Sequence, residues 1–167
     1  MRNLDNRHTF ACDVDTFWRV FLDPAFNREL FLKALAFQKF EVVAETETSR
    51  TMRATPKVNM PKPVAALFGD GFSYEEQGRL EGTPKVWRWK IVTKALGEKF
   101  RNEGTVRAEP AGEGKCTRID TLTLEAKVFG IGGLIEGTAE KEARAGWGKT
   151  NALMERWLRE QVPTGAG

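Results

Sequence analysis

From Leu134 to Gln161 the chain has no proline, and apolar or small residues return at Ile135, Ala139, Ala143, Gly146, Trp147, Thr150, Leu153, Met154, Trp157 and Leu158. Intervals of three and four predict a single helical stripe of about seven turns. The other face carries Glu136, Glu140, Lys141, Arg144, Lys149, Glu155, Arg156 and Arg159. Glu140–Arg144 and Glu155–Arg159 have the i,i+4 spacing of ion pairs, so this face is expected to be solvated. A stripe this long needs a broad apolar surface to lie against.

The sequence ahead of it has a period of two. Phe40–Thr46, Arg50–Thr55, Phe72–Leu80, Val86–Lys94, Phe100–Glu109 and Thr117–Lys127 read as strands. The joint near Glu47–Ser49, Gly82-Thr83-Pro84, Leu96-Gly97-Glu98 and Ala111-Gly112-Glu113-Gly114 supply hairpin turns between them. Successive hairpins make an antiparallel meander, since a parallel sheet would need crossover helices for which there is no room. Arg7–Cys12 reads as a further strand. Asp13 then caps a helix whose Val14, Phe17, Trp18 and Phe21 fall at i, i+3, i+4 and i+7. Asp23-Pro24 ends it and opens a second short helix carrying Phe26, Leu30, Phe31 and Leu35. The expected architecture is one α+β domain over residues 1–167, a curved antiparallel sheet wrapped around a long C-terminal helix, with a tail that frays from about Pro163.

The order strand, two short helices, six strands, long helix resembles the helix-grip (START-like, or SRPBCC) superfamily. That group includes lipid-transfer domains, plant pollen-allergen proteins, polyketide cyclases and chaperone-activator domains. Two segments carry the likeness locally. Val14-Asp15-Thr16-Phe17-Trp18 leading to Asp23-Pro24 is similar to the start of the superfamily's first helix. Phe129-Gly130-Ile131-Gly132-Gly133-Leu134-Ile135-Glu136 resembles the bend before the last helix in a bacterial branch, the DUF2505-like proteins, with Phe129 where a proline is expected. The resemblance implies a cavity between sheet and long helix, commonly holding lipids, sterols, polyketides or other apolar ligands. It carries no catalytic residue onto this chain.

Composition narrows the function classes. A hydrophobic fraction of 41% with 29% charged residues is that of a folded domain. The net charge of +3 comes from 26 basic and 23 acidic residues that alternate along the chain, without the basic stripe of a nucleic-acid binder, so no nucleic-acid partner is expected. Met1–Asn6 is polar, unlike a signal peptide, and no run of about 18 apolar residues occurs, so a cytoplasmic location is expected. Cys12 and Cys116 lie in expected strands without CxxC spacing and read as buried free thiols.

Catalytic motifs are few. His8 is the only histidine and sits in the first strand, where it builds neither a zinc site nor a triad with Ser49 or Ser73, so no metal, cofactor or catalytic residue is expected. Gly130-Ile131-Gly132-Gly133 lacks the third glycine of a dinucleotide fingerprint, since position 135 is Ile135, and reads as a bend.

Ligand-binding candidates follow from strand and helix faces. Trp87, Trp89 and Ile91 alternate onto one side of a strand, either as core against the long helix or as cavity lining. Phe72, Tyr74 and Glu76 share another strand face; Glu76 is the main polar candidate inside a cavity, with Arg53 the weaker one and Asp120 a further acid to consider. On the long helix Gly146, Trp147, Thr150 and Met154 face the sheet, and the small Gly146 and Thr150 would leave space open. Residues 56–71 are irregular, with Pro56, Pro61 and Pro63 preceding Val64–Phe68 and Gly69-Asp70-Gly71. This stretch reads either as a plain connection capping the sheet or as a lid that brings in Phe68. A lid exposing Leu67 and Phe68, with Lys57 and Lys62 beside them, could touch a membrane surface transiently.

The expected function is therefore binding of a hydrophobic small molecule such as a lipid, with transport or sensing as its uses. Two alternatives stand beside it: a filled-core protein-interaction domain, and a cyclase- or dehydratase-like enzyme that would need a buried acid and base. The oligomeric state is left open.

Overall fold

In the computed structural model, which describes residues 1–69 and 71–160, seven strands form one antiparallel sheet. They are β1 (Arg2–Phe10), β2 (Lys39–Glu45), β3 (Ser49–Thr55), β4 (Tyr74–Glu81), β5 (Val86–Val92), β6 (Phe100–Pro110) and β7 (Cys116–Ala126). Their order across the sheet is β1-β7-β6-β5-β4-β3-β2. The six strands from β2 onward are the expected meander, and β1 closes the far edge by pairing with β7 from Arg2↔Leu124 to Phe10↔Cys116. Two short helices, α1 (Val14–Phe21) and α2 (Pro24–Glu29), lie between β1 and β2, and α3 (Lys62–Ala65) lies between β3 and β4. The long helix α4 (Gly132–Glu160) packs against the concave face. This is the α+β helix-grip arrangement expected from the element order.

Caps set the helix starts as the sequence suggests. Asp13 accepts the Thr16 amide at 2.8 Å, and Asp23 accepts those of Ala25 and Phe26. The second helix then departs from expectation. After Glu29 it widens into a π-helical turn, Leu30–Ala34, in which the Leu35 N–H reaches the Leu30 carbonyl at 2.8 Å. It ends with Ala36 at φ 53° and a Phe37 N–H bond to the Phe31 carbonyl, a Schellman-type stop made without glycine. The widened turn directs Phe31 and Leu35 toward α4 and the sheet.

Three expectations are corrected. The first strand begins at Arg2 rather than Arg7; its inward positions include Asn6, held by Asp120 at 3.3 Å, and this polar residue hides the alternation. Cys12 lies past the strand end, in a bend, with its Sγ 3.9 Å from that of Cys116; both thiols are free and buried. The charged face of α4 is not uniformly solvated. Glu136 is 7% exposed and accepts the Ala126 N–H at 2.9 Å, which holds its carboxyl below the usual range. Glu155 bonds His8 at 2.6 Å, across to β1, whereas Glu140–Arg144 is present as expected at 3.0 Å. The tail from Pro163, together with Gln161 and Asp70, lies outside the described residues.

Two clusters form the core. The larger joins Phe10, Phe17, Trp18 and Phe26 with Trp87, Val106 and the C-terminal half of α4 at Leu153, Met154 and Leu158. The smaller joins Val64, Leu96 and Ile135 at the other end of the helix. Between these clusters the sheet and the helix do not fill the space.

Candidate functional site

The strand register decides which side chains face that space. Gly78, Trp89, Gly104 and Leu122 are successive partners across β4, β5, β6 and β7, so all four share the concave face. The two glycines are close-approach positions. A Cβ on Gly78 would run into the Trp87 ring, and one on Gly104 would run into the Thr121 carbonyl oxygen and crowd Trp89. The indoles thus lie across their neighbouring strands instead of standing upright. That leaves room above them.

The room is a cavity of about 290 Å³. Its sheet wall is Tyr74, Trp89, Ile91, Phe100, Asn102 and Leu122, and its helix wall is Ile135, Ala139, Ala143, Gly146 and Trp147. Phe31, Leu35 and Phe37 close one side; Val58, Met60, Val64, Phe68 and Phe72 close the other. The exposed Lys57, Glu142 and Lys149 mark its rim. Gly146 matters here as its size suggests, because a Cβ built on it meets no atom within 4 Å. Asn102 Oδ1 is buried without a hydrogen-bond partner, one unmet acceptor in an otherwise apolar wall.

A second chamber of about 150 Å³ adjoins the first, both being bounded by Phe31, Leu35, Trp89 and Trp147. It is polar. Arg50, Glu76, Arg118 and Asp120 line it, along with Phe21, Trp87 and Thr150. Arg118 grips Asp120 with Nε and Nη2 at 2.8–3.1 Å, while Arg50 stands 3.7 Å from Glu76, beyond hydrogen-bond reach. The Arg50 guanidinium lies over the Trp87 ring (5.4 Å) and that of Arg118 over the Phe21 ring (5.7 Å). Burial pushes the Glu76 carboxyl above the usual carboxylate range, with Arg50 pulling against it. Burial and the nearby Glu76 raise the Tyr74 phenol as well.

The sequence candidates separate accordingly. Phe68, Phe72, Tyr74, Trp89, Ile91, Gly146 and Trp147 meet at the apolar cavity, while Glu76, Trp87 and Thr150 meet at the polar chamber with Trp89 and Trp147. Met154 reaches neither, being fully buried in the main core. Arg53 points to the outer face, where it pairs with the Glu75 carboxylate at 3.7 Å. Arg50 and Arg118 are site residues that the sequence candidates do not include. The parity of β3 carries the missing signal, since Arg50 alternates onto the side of Met52 and Ala54, both buried, and Arg53 does not. In the stretch 56–71, α3 seats Val64 in the smaller core, and Leu67 and Phe68 are half-buried against it rather than exposed. Among the described residues no helix is long and apolar enough to cross a membrane, and no three His, Cys, Asp or Glu side chains gather as metal ligands would.

A sheet gripping one long helix over a lined cavity is the helix-grip fold, and solved structures of that class superpose on nearly the whole chain. The aromatase/cyclase Zhui from Streptomyces sp. R1128 does so with a TM-score of 0.71 at 15% identity, over 96% of this chain and 98% of its own. Norcoclaurine synthase from Thalictrum flavum gives 0.68 at 14% identity over 95% and 87%, and another of its structures is a complex with dopamine and hydroxybenzaldehyde. The protein TTHA0849 from Thermus thermophilus gives 0.67 at 18% identity over 96% and 99%. At such identities the likeness is one of fold. Residues 5–158 match the family described as protein of unknown function (DUF2505), and the chain belongs to that family. No curated protein matches the sequence.

Proposed function

We propose that this domain binds a hydrophobic small molecule in the cavity between the sheet and α4. The observation that carries the proposal is an apolar space of about 290 Å³, walled by aromatic rings on the sheet and by Ala139, Ala143 and Gly146 on the helix, that none of the described side chains fills. A filled-core interaction domain would lack it. The volume lies at the lower end of the range for ligand sites, about 300–1,000 Å³. It suits a single acyl chain or a compact ring system better than a lipid with several chains. At ~30 Å³ per water-sized group the space holds about ten methylenes. Their burial is worth about 8 kcal/mol gross at ~0.8 kcal/mol each, before the costs of association. The fold likeness to an aromatase/cyclase and to a synthase seen with small aromatic molecules supports the same use of this cavity.

One observation favours a second reading, catalysis on such a molecule. Glu76 is a carboxyl that burial pushes up toward its protonated form, in the chamber that adjoins the cavity and beside Arg50. A carboxyl held up in this way is the kind of group a general acid requires.

The test is to extract natively purified protein with organic solvent, identify co-purifying molecules by mass spectrometry against a mock purification, and titrate the protein with 1-decanol while following tryptophan fluorescence, to which Trp89 and Trp147 in the cavity wall contribute. A stoichiometric ligand, or saturable quenching by the alcohol, is the expected result. An empty extract together with a flat titration would rule the proposal out.

A further inference from the structure

We propose that the molecule bound here carries a carboxylate head group, and that Arg50 and Arg118 hold that head in the second chamber while its apolar part occupies the adjoining apolar cavity. The inference rests on the cavity being a binding site. It starts from two guanidiniums that the fold buries and leaves incompletely bonded. Arg50 is 8% and Arg118 6% exposed, yet Arg50 Nε and Arg118 Nη1 have no hydrogen-bond partner. A buried N–H without an acceptor is costly, and native structures keep few of them. Here two occur on residues from β3 and β7, strands that reach one chamber only because the sheet curves.

Neither arginine is free to swing elsewhere. The Trp87 ring lies under one and the Phe21 ring under the other. Asp120 takes Nε and Nη2 of Arg118 and fixes its plane, leaving the remaining edge unsatisfied. The charges of the chamber point the same way. Two guanidiniums face Asp120, which bonds Arg118 alone, and Glu76, which stands 3.7 Å from Arg50, so no carboxylate of the chamber is bonded to Arg50. An ammonium head brings only donors to a chamber whose unmet groups are themselves donors, whereas a carboxylate supplies acceptors to both unmet N–H groups. Arginine's planar fork also matches a carboxylate's two oxygens, and a protonated Glu76 could donate to the same head. A chamber of about 150 Å³ suits a head of a few atoms, not a bulky polar group.

The full chain would be titrated at pH 7 with decanoate and with 1-decanol, which share a chain length and differ in the head, with tryptophan fluorescence as readout. Decanoate is expected to bind about tenfold more tightly or better, the size of charge-assisted hydrogen bonds made in a buried site. Arg50→Met should collapse that ratio toward one. Because Arg118→Met alone would strand Asp120, the companion variant replaces the pair, Arg118→Met with Asp120→Leu, and should also lower the ratio. An alcohol that binds wild type as well as the acid would overturn the carboxylate assignment and leave the cavity proposal standing. So would a ratio that survives in both variants. If neither compound binds wild type, the cavity proposal fails and this inference falls with it.

Discussion

Gly146→Leu separates a cavity kept for a ligand from one that is merely a packing fault. The added Cβ has open space before it, with nothing within 4 Å. Leucine brings four carbons, which at ~30 Å³ each would take up about 120 Å³ of the 290 Å³ present. Two effects then raise stability. Leucine is favoured over glycine inside a helix by about 0.8 kcal/mol, and partial burial of its side chain adds about 1–2 kcal/mol. A gain of about 2–3 kcal/mol corresponds to a rise in Tm of roughly 4–12 °C for a chain of this size. The same volume is withdrawn from the ligand. Losing room for four methylenes costs about 3 kcal/mol of binding, a drop of more than about a hundredfold for 1-decanol. Thermal melts followed by circular dichroism and a fluorescence titration measure the two quantities on one sample. A variant that melts higher and binds the alcohol undiminished would refute the assignment of this cavity as the site. One that melts lower would show that the space above Gly146 is not free.

Other perturbations probe the frame and the second chamber. Ala36→Gly relieves the left-handed backbone at φ 53° and is expected to add up to about 1 kcal/mol, visible as a higher urea midpoint. Asp120→Ala leaves Arg118 buried without its partner and should cost about 3–5 kcal/mol in denaturant unfolding. Gly104→Ala drives a methyl into the Thr121 carbonyl and should lower the melting temperature sharply, far beyond an exposed glycine substitution such as Gly133→Ala on α4, where the space is open. Glu76→Gln tests the pH dependence. A carboxyl whose folded pKa is raised stabilises the fold below its unfolded value of about 4.3 and loses that contribution as pH climbs through the folded pKa. Wild type should therefore weaken relative to the glutamine variant as pH rises through that window, and a constant difference from acid to neutral pH would show that Glu76 is not held up by burial.

Much of the architecture was legible because each element announces its own period. Pairing of β2 with β3 and of β4 through β7 follows from hairpin turns, and α4 follows from a stripe without proline. The site was less legible, for reasons particular residues make plain. Arg50 and Arg53 look alike in a strand read alone, and only parity against Met52 and Ala54 sends the first inward. Met154 lies on the same helical stripe as Gly146, but about two turns on, where the sheet has closed against the helix. Leu30–Ala34 continues an amphipathic pattern, so nothing local told of the widened turn that swings Phe31 to the cavity. The chamber joins strands remote in sequence, and its unmet donors exist only once the sheet has curved.

The long helix resembles a beam resting on two abutments. Near one end Glu136 is tied to the Ala126 amide and Glu140 to Arg2; near the other, Glu155 meets His8 and Trp157 donates to Glu29 at 2.8 Å. The span between them roofs the cavity, and lifting it would break one support or the other. The opposite bank is the proline-bearing stretch around residues 56–60, which borders the rim without a ladder of strand hydrogen bonds and would be the side by which the proposed ligand passes. On the binding proposed above, affinity and exchange rate are lodged in different parts of the chain: changes on the underside of the beam are expected to set how tightly a molecule is held, and changes in that stretch how long it stays.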